Sequence, residues 1–146
     1  MVADAKRIVI TGLGPITPIG IGVAEFWQNA ISGIDGISEV THFDTSAMRS
    51  HRGGVIKNFE PSVYLSDPER FSRCTQLALA ATKLALQHAR LFPDFAIYEP
   101  QRRSVCLGTT LGEIEAPPKD ESAYRQRCSG SIVRNLAQEF ELHGEC

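Results

Sequence analysis

The sequence predicts an α/β fold in which helices flank a mostly parallel sheet. Two apolar segments, residues 8–11 and 104–110, have the length and the β-branched content of buried strands. Helical patterns separate and follow these segments, over residues 23–32, from about 66 to 88, and over 131–142. Strands that alternate with helices along a chain are typical of layered α/β proteins with parallel strands.

The turn after the first predicted strand contains Gly12 and Gly14, a pattern that first suggests a dinucleotide-binding loop. Such a loop needs a third glycine and a helix that begins directly behind it. Here Thr17 occupies the third position, and Pro15 and Pro18 delay the start of the helix. The sequence therefore argues against a bound nucleotide. The alternative is that the two glycines only let the backbone turn.

The first helix is predicted to start near Gly22 and to stop at Gly33. The long helix is predicted to open with a capping box, in which Ser66 is the cap and Glu69 follows three residues later. A short edge strand is expected before it, over residues 55–57. One face of the long helix carries mostly small side chains, which permit close packing, namely Leu77, Ala80, Ala81, Leu84 and Ala85.

The cysteines give no sign of a metal or redox site. Cys74, Cys106, Cys128 and Cys146 show no C-x-x-C spacing, which excludes the usual zinc and dithiol motifs. Cys74 falls in a predicted helix and Cys106 in a predicted strand, where cysteine behaves as a small buried hydrophobe. We therefore predict that all four cysteines are structural or incidental, and that the chain uses no cofactor.

Composition is that of an ordinary globular protein. The 146 residues are 42% hydrophobic and 22% charged, with a formal net charge of −2, so a nucleic-acid partner is not expected. The sequence has no run of eighteen or more apolar residues, so it does not predict a membrane span. Unpatterned cysteines and the lack of an apolar leader favour a reducing, cytoplasmic setting.

Several motifs occur here in the order and spacing found at the start of the β-ketoacyl-acyl-carrier-protein synthases. They are Thr11-Gly12-Leu13-Gly14, Thr17-Pro18-Ile19-Gly20, Phe26-Trp27, His42-Phe43-Asp44-Thr45-Ser46, Gly54-Val55-Ile56-Lys57-Asn58-Phe59 and Glu139-Phe140-Glu141-Leu142-His143-Gly144. The chain resembles roughly the first third of this family, over essentially all of residues 1–146. The resemblance implies a thiolase-like layered fold, of which this chain would form an N-terminal half-domain.

The resemblance also implies a reaction, the decarboxylative Claisen condensation of an acyl-thioester with malonyl-acyl carrier protein in fatty-acid or polyketide synthesis. The family's Cys-His-His triad lies beyond the matching motifs, and Cys146 falls just before the turn with the nucleophile. We therefore expect no catalytic residue here, and no activity from this segment alone. Expected partners are the acyl carrier protein and the remainder of the ketosynthase, in a homo- or heterodimer.

An alternative is a non-catalytic subunit that resembles the family but lacks the cysteine, and sets chain length in a heterodimer. The residue about seven positions beyond Cys146 would distinguish the synthase from the non-catalytic subunit. It would be a Cys in the synthase and a Gln in the non-catalytic subunit.

Two pairs of residues are candidate binding residues by the resemblance. Thr110 and Leu111 lie where the family borders its acyl pocket, although Leu111 could equally fill the core, and Glu113 replaces a usual glycine. Arg70 and Arg73 lie where the family docks its carrier protein. For these two, the alternative is a pair of ordinary solvated helix charges.

Overall fold

The computed structural model describes residues 7–93, 97–110, 112 and 130–144. In this part of the chain the helices are α1 (Val23–Ile31), α2 (Arg73–His88) and α3 (Ser131–Glu139). The strands are β1 (Ile16–Thr17), β2 (Gly20–Ile21), β3 (Ile37–Glu39) and β4 (Arg52–Gly54). Short 3-10 turns cover Pro61–Val63, Pro68–Arg70 and Pro100–Arg102.

The strands form two small antiparallel sheets. β1 pairs with β2, with Ile16 opposite Ile21, and β3 pairs with β4, with Ser38 opposite Gly53. The predicted mostly parallel sheet is therefore not observed among the described residues. The predicted edge strand at 55–57 is also wrong, because the ladder ends at Gly54. Apolar content indicated a strand there, but the ladder is set by pairing with β3, which the sequence pattern did not predict.

The two segments predicted as buried strands do not form strands among the described residues. In residues 8–11 the side chains are exposed, with Ile8 98% and Ile10 82% accessible. Residues 104–110 differ in burial, because Val105 and Leu107 are partly buried and pack against the hydrophobic core. A β-branched sequence favours extended backbone, but a strand also requires a neighbour that continues its hydrogen-bonded ladder.

Helix α1 confirms the predicted bounds, since Gly22 is its N-cap and Gly33 follows its end with φ +67°. None of its residues is buried, and Trp27 is 63% exposed. Polar contacts fix the helix instead. The Glu25 carboxylate accepts from the Ile21 N–H at 2.8 Å, and the Asn29 amide donates to the Ile19 carbonyl at 2.6 Å.

Helix α2 begins later than predicted. Ser72 is its N-cap, and its hydroxyl accepts a hydrogen bond from the Thr75 N–H at 3.2 Å. The proposed capping box at Ser66 instead precedes a separate 3-10 turn, Pro68–Arg70. The two elements cannot merge because Phe71 between them is extended, with φ −117° and ψ 145°. The predicted end at His88 is confirmed.

The hydrophobic core lies where α2 packs on α3. Leu79 of α2 is completely buried, and Leu136 of α3 is 2% exposed. Burying a side chain of this size stabilises the fold by about 1.5–3 kcal/mol. The cluster is completed by Leu65, Ile132 and Phe140.

The glycines of the first loop lie directly on α2. A Cβ atom added to Gly12 would come within 2.2 Å of the Ala85 carbonyl oxygen, and one on Gly14 within 2.0 Å of that of Ala81. Between them, the Leu13 N–H donates to Nδ1 of His88 at 3.1 Å. These glycines are therefore required for close approach of two backbones, and not only for a turn. The predicted small-residue face of α2 provides the surface.

Candidate functional site

A cleft of about 690 Å³ lies between the segment that follows β4 and the first turns of α2. Arg73 and Leu77 reach it from α2, because residues four apart lie on the same face of a helix. Its lining residues combine apolar and basic side chains. The apolar ones are Val55, Ile56 and Leu77, the basic or titratable ones are His42, Lys57 and Arg73, and Thr41 and Gly54 complete the set. We call this the α2 cleft.

Arg73 is held in place by aromatic contacts. Its guanidinium lies 4.6 Å from the centroid of the Phe59 ring, a cation–π distance. Phe59 is itself buried and stacks on Tyr64, with ring centroids 5.6 Å apart. The N-cap at Ser72 fixes the backbone immediately before Arg73. The structure therefore orients this cation at the edge of the α2 cleft.

Arg70 is arranged differently, although it is only three residues away. Its Nε lies 4.0 Å from a carboxylate oxygen of Asp67, and both side chains are mostly exposed. Its guanidinium also lies 5.5 Å from the Phe71 ring centroid. Arg70 is not among the residues that line the α2 cleft. The structure thus does not bring the two predicted docking arginines together in one site.

The predicted acyl-pocket residues are described only in part. Thr110 is exposed, at the end of the described residues 97–110. Nearby, the Gly112 N–H donates to the Thr109 hydroxyl at 3.0 Å, and Gly112 has φ +65°. Leu111 and Glu113 lie outside the described residues, so their role stays a prediction.

A second cavity, of about 430 Å³, lies near the contact between α2 and α3. Its lining residues include the cations Lys83 and Arg103 and the acids Glu139 and Glu141. The Lys83 ammonium donates a hydrogen bond to the Tyr64 carbonyl at 2.9 Å and lies 5.3 Å from the centroid of the Phe92 ring. This hydrogen bond therefore ties α2 to the chain at the end of the Pro61–Val63 turn.

The cysteines are placed as follows. Cys74 is half-buried and packs against the core, in agreement with the prediction, and Cys106 is exposed, which contradicts it. Cys106 points away because alternate side chains of its extended segment, Val105 and Leu107, face the core instead. Cys128 and Cys146 lie outside the described residues.

Neither a cluster of metal ligands nor a membrane-spanning helix is found in the described ranges, 7–93, 97–110, 112 and 130–144. No group of three or more metal-ligating side chains could hold an ion there. No helix within those ranges is both long enough and apolar enough to span a membrane.

Comparison with known families decides the chain's relationship. The model of the family described as beta-ketoacyl synthase, N-terminal domain, matches residues 5–144. The chain belongs to the β-ketoacyl synthase family. This confirms the relationship inferred from the motifs between Thr11 and Gly144.

Curated members of the β-ketoacyl synthase family are similar over most of the chain. The 3-oxoacyl-[acyl-carrier-protein] synthase 2 of Staphylococcus aureus (strain COL) is 37% identical over 112 residues, which cover 75% of this chain. The protein of the same name from a Synechocystis strain is 38% identical over 114 residues, or 77% of the chain. In each case the match spans 27% of the relative's own length.

Solved structures of the same fold align with almost the whole chain. The ishigamide ketosynthase/chain length factor aligns with 94% of this chain and 38% of its own, with a TM-score of 0.75 and 24% identity. A beta-ketoacyl synthase from Burkholderia phymatum aligns with 97% of this chain and 38% of its own, with a TM-score of 0.77 and 22% identity. These likenesses confirm the thiolase-like ketosynthase fold, although not the parallel pairing of its strands.

Sequence reasoning missed the basic neighbours of Arg73. Lys57 belongs to a motif that supported the family resemblance, and His42 to another, but nothing in their spacing predicted a shared cleft. The antiparallel β3–β4 pairing sets the path of the chain on both sides of the cleft, since residues 41 and 42 follow β3 and residues 55–57 follow β4. The shared cleft could have been predicted from the sequence only if the β3–β4 hairpin had been predicted first.

Proposed function

We propose that this chain forms the N-terminal part of a β-ketoacyl-acyl-carrier-protein synthase. The observation that carries the proposal is the 37% identity to a protein named 3-oxoacyl-[acyl-carrier-protein] synthase 2. The reaction is a decarboxylative condensation that lengthens an acyl chain in fatty-acid or polyketide synthesis. The protein would act in the cytoplasm, which unpatterned cysteines favour.

The chemistry would be carried by residues that follow position 146 in the intact ketosynthase. A cysteine thiolate attacks the acyl-thioester and displaces the carrier thiol, which leaves an acyl-enzyme. Loss of CO₂ from malonyl-carrier protein leaves a carbanion equivalent, stabilised by two histidines. Its carbon attacks the acyl-enzyme, forms the new C–C bond and releases the cysteine thiolate, while hydrogen-bond donors stabilise the developing oxyanion.

Residues 1–146 would supply binding surfaces in this scheme, end just before the nucleophile turn, and be inactive alone. We propose that Thr110 and Leu111 border the acyl pocket, because a strand over residues 104–110 in the complete sheet would end there, and α/β proteins usually bind ligands at the carboxyl ends of sheet strands. Arg70 and Arg73 would contact the acidic carrier protein through charge complementarity. Part of a homo- or heterodimer surface would also lie here.

The remainder of the ketosynthase would also complete the mostly parallel sheet. Residues 8–10 are apolar, yet Ile8 and Ile10 are exposed. Pairing of this segment with strands from elsewhere in the protein would remove that apolar surface from water.

The alternative is a chain-length-setting subunit without a nucleophile. The ishigamide ketosynthase/chain length factor has the same fold, so the fold is compatible with this alternative as well. The two functions differ at one position, about seven residues beyond Cys146, where the synthase has a cysteine and the other subunit a glutamine.

The test is a condensation assay with the protein that carries this chain. Acyl- and malonyl-carrier protein are mixed with it, and the carrier-bound product is identified by mass spectrometry. We expect a β-ketoacyl product two carbons longer, and no product from residues 1–146 alone. A protein that is inactive alone but alters product length when a ketosynthase partner is added would favour the alternative. Neither activity, with a folded protein, would overturn the proposal.

A further inference from the structure

We propose that His88 is a pH-sensitive latch that holds the first loop, residues 11–15, on the end of α2. The neutral imidazole accepts a hydrogen bond from the Leu13 N–H, and the protonated imidazole cannot. Acidification would therefore release the loop from the helix while the core stays folded. The latch goes beyond the proposed function and does not depend on it, because both of its partners belong to the described part of this chain.

The direction of this hydrogen bond fixes the protonation state of the ring. The Leu13 nitrogen lies 3.1 Å from Nδ1 of His88. A backbone N–H can only donate, so Nδ1 must supply a lone pair. In the imidazolium both ring nitrogens carry a proton, and Nδ1 can no longer accept. Because histidine ordinarily changes its charge between pH 5 and 8, the bond exists only on the alkaline side of that change.

His51 makes a hydrogen bond that does not have this property. Its Nδ1 lies 3.1 Å from the hydroxyl oxygen of Thr45. A hydroxyl can donate or accept, so it can rotate and accept from Nδ1 when the ring is protonated. The Leu13 N–H has no such freedom. The two histidines therefore form a matched pair, in which one bond is lost on protonation and the other reverses.

The latch lies between the two closest approaches of the loop to α2. A Cβ atom on Gly12 would come within 2.2 Å of the Ala85 carbonyl oxygen, and one on Gly14 within 2.0 Å of that of Ala81. Glycine contributes no side chain that could pack on the helix at these two points. The hydrogen bond to His88 therefore contributes a specific polar contact exactly where the loop has little side-chain packing.

The position of His88 allows the ring to be protonated without disturbing the core. The side chain is exposed, so a proton reaches it from the solvent. His88 is also the basic residue of the last turn of α2, where a positive charge interacts favourably with the helix dipole. The released imidazolium can therefore remain in water at the helix end.

No described charged group would hold the protonated ring to the loop. Residues 8–24, which include the loop, contain no charged or titratable side chain. The nearest charge along the chain is Arg90, a cation, which cannot form an ion pair with an imidazolium. The two ion pairs found among the described residues involve neither His88 nor the loop. Protonation therefore removes a contact without creating a new one.

The other elements that pack on α2 approach it from its far side. Leu79, which packs with α3 in the core, is nine residues from His88. At about 100° per residue, this separation places the two side chains on opposite sides of the helix. The charged groups on the Leu79 side are Lys83 of α2 itself, Arg134, Glu139 and Glu141 in and after α3, and Arg102 and Arg103.

The experiment measures hydrogen exchange at the Leu13 amide in the protein that carries this chain. Protection is expressed relative to an unfolded peptide at the same pH, which removes the pH dependence of the exchange chemistry itself. We expect the protection factor of Leu13 to fall by about fivefold between about pH 8 and about pH 5.5, as for the loss of one ordinary hydrogen bond. The amide of Leu79 should keep its protection.

Three variants separate the hydrogen bond from the charge. In His88→Asn the amide oxygen can occupy the place of Nδ1 and accept at every pH, so protection of Leu13 should change by less than about twofold. His88→Ala has no acceptor, and its protection should be low at both pH values. His51→Asn is the control, and Leu13 should respond to pH in it as in the wild type.

Several outcomes would overturn the latch. The same fall in His88→Asn as in the wild type would assign the response to another group. Wild-type protection in His88→Ala at about pH 8 would mean that the bond does not hold the loop. A parallel fall at Leu79 would indicate general unfolding by acid. If thermal unfolding shows that the variants do not fold, the wild type decides alone, since constant protection of Leu13 rejects the latch and a fall confined to Leu13 supports it.

Discussion

The two halves of the described structure are stabilised in different ways. Around α2 and α3 the chain buries its own core, with Leu79 completely inaccessible. Over residues 7–54, which we call the N-terminal half, equally apolar side chains such as Ile10 and Trp27 remain exposed. An apolar sequence therefore marks what can be buried, but burial requires a partner surface.

Local polar contacts take the place of a core in the N-terminal half. The Thr17 hydroxyl donates to the Gly20 carbonyl at 3.0 Å across the β1–β2 turn. The Asp35 carboxylate accepts from the Ile37 N–H at 2.8 Å at the start of β3. Each such hydrogen bond contributes about 0.5–1.5 kcal/mol. We therefore expect this half to be the less stable of the two.

The largest expected effect is the difference in stability between a core variant near α2 and a variant in the N-terminal half. Leu79→Ala should reduce the free energy of unfolding by about 2–5 kcal/mol, because it leaves a cavity at a completely buried position. In the 146-residue chain, Ile10→Ala should cost less than about 0.5 kcal/mol, because Ile10 is exposed. Urea unfolding followed by circular dichroism measures both. Equal losses would contradict the difference between the halves.

The same pair of variants is more informative in a longer protein. If further strands pair with residues 8–11, as we propose, Ile10→Ala in the complete ketosynthase should cost about 2 kcal/mol or more. An effect that stays below about 0.5 kcal/mol there would argue against the proposed sheet.

The next prediction concerns the contact that joins the halves. Gly14→Ala would bring a Cβ atom within 2.0 Å of the Ala81 carbonyl oxygen, so the first loop must move away from α2. We expect a loss of about 1–3 kcal/mol in the free energy of unfolding. Gly108→Ala is the matched control, since its Cβ would meet no described atom within 4 Å. Similar losses for both would mean that the close approach is not required.

A smaller effect should distinguish the observed helix start from the predicted one. Ser72→Ala removes the hydroxyl that caps α2 and should cost about 1 kcal/mol. Ser66→Ala, at the start predicted from the sequence, should have no comparable effect. Thermal unfolding of both variants measures the difference. A larger loss at Ser66 would favour a helix that begins earlier in solution.

These results indicate which features a sequence can reveal. The bounds of α1 were predictable because Gly22 and Gly33 are local signals at its two ends. The start of α2 was not, because Ser66 and Ser72 both satisfy the preference for a capping serine. Only the extended conformation of Phe71 between them decides which one caps the long helix.

Features that depend on distant contacts were the least predictable. The α2 cleft combines Lys57 with Arg73, and their proximity follows from the path of the β3–β4 hairpin. The parallel sheet was inferred from the alternation of predicted strands and helices, and this order does not specify which segment a strand pairs with. The family resemblance did not have this limitation, because it rests on the order of short motifs.

The smallest expected effect tests the local hydrogen bonds of the N-terminal half. Asp44 accepts hydrogen bonds from the Ser46 N–H at 2.9 Å and from the Ser46 hydroxyl at 3.0 Å. Both stabilise the carboxylate, the backbone bond more than the hydroxyl, and they hold the pKa of Asp44 below its ordinary value of 3.8. Their contribution to stability is present above the pKa of an unfolded aspartate, and it is lost as pH falls through the lower folded pKa.

Titration of the Asp44 carboxyl carbon by NMR measures this shift. Ser46→Ala should raise the pKa of Asp44 only part of the way to its ordinary value, because the stronger backbone hydrogen bond remains. Acidification through this range should loosen the turn at residues 44–46 without affecting the packing of α2 on α3. Identical titrations of wild type and Ser46→Ala would show that the hydroxyl contributes nothing. Simultaneous loss of the turn and the core would mean that the two halves unfold as one unit.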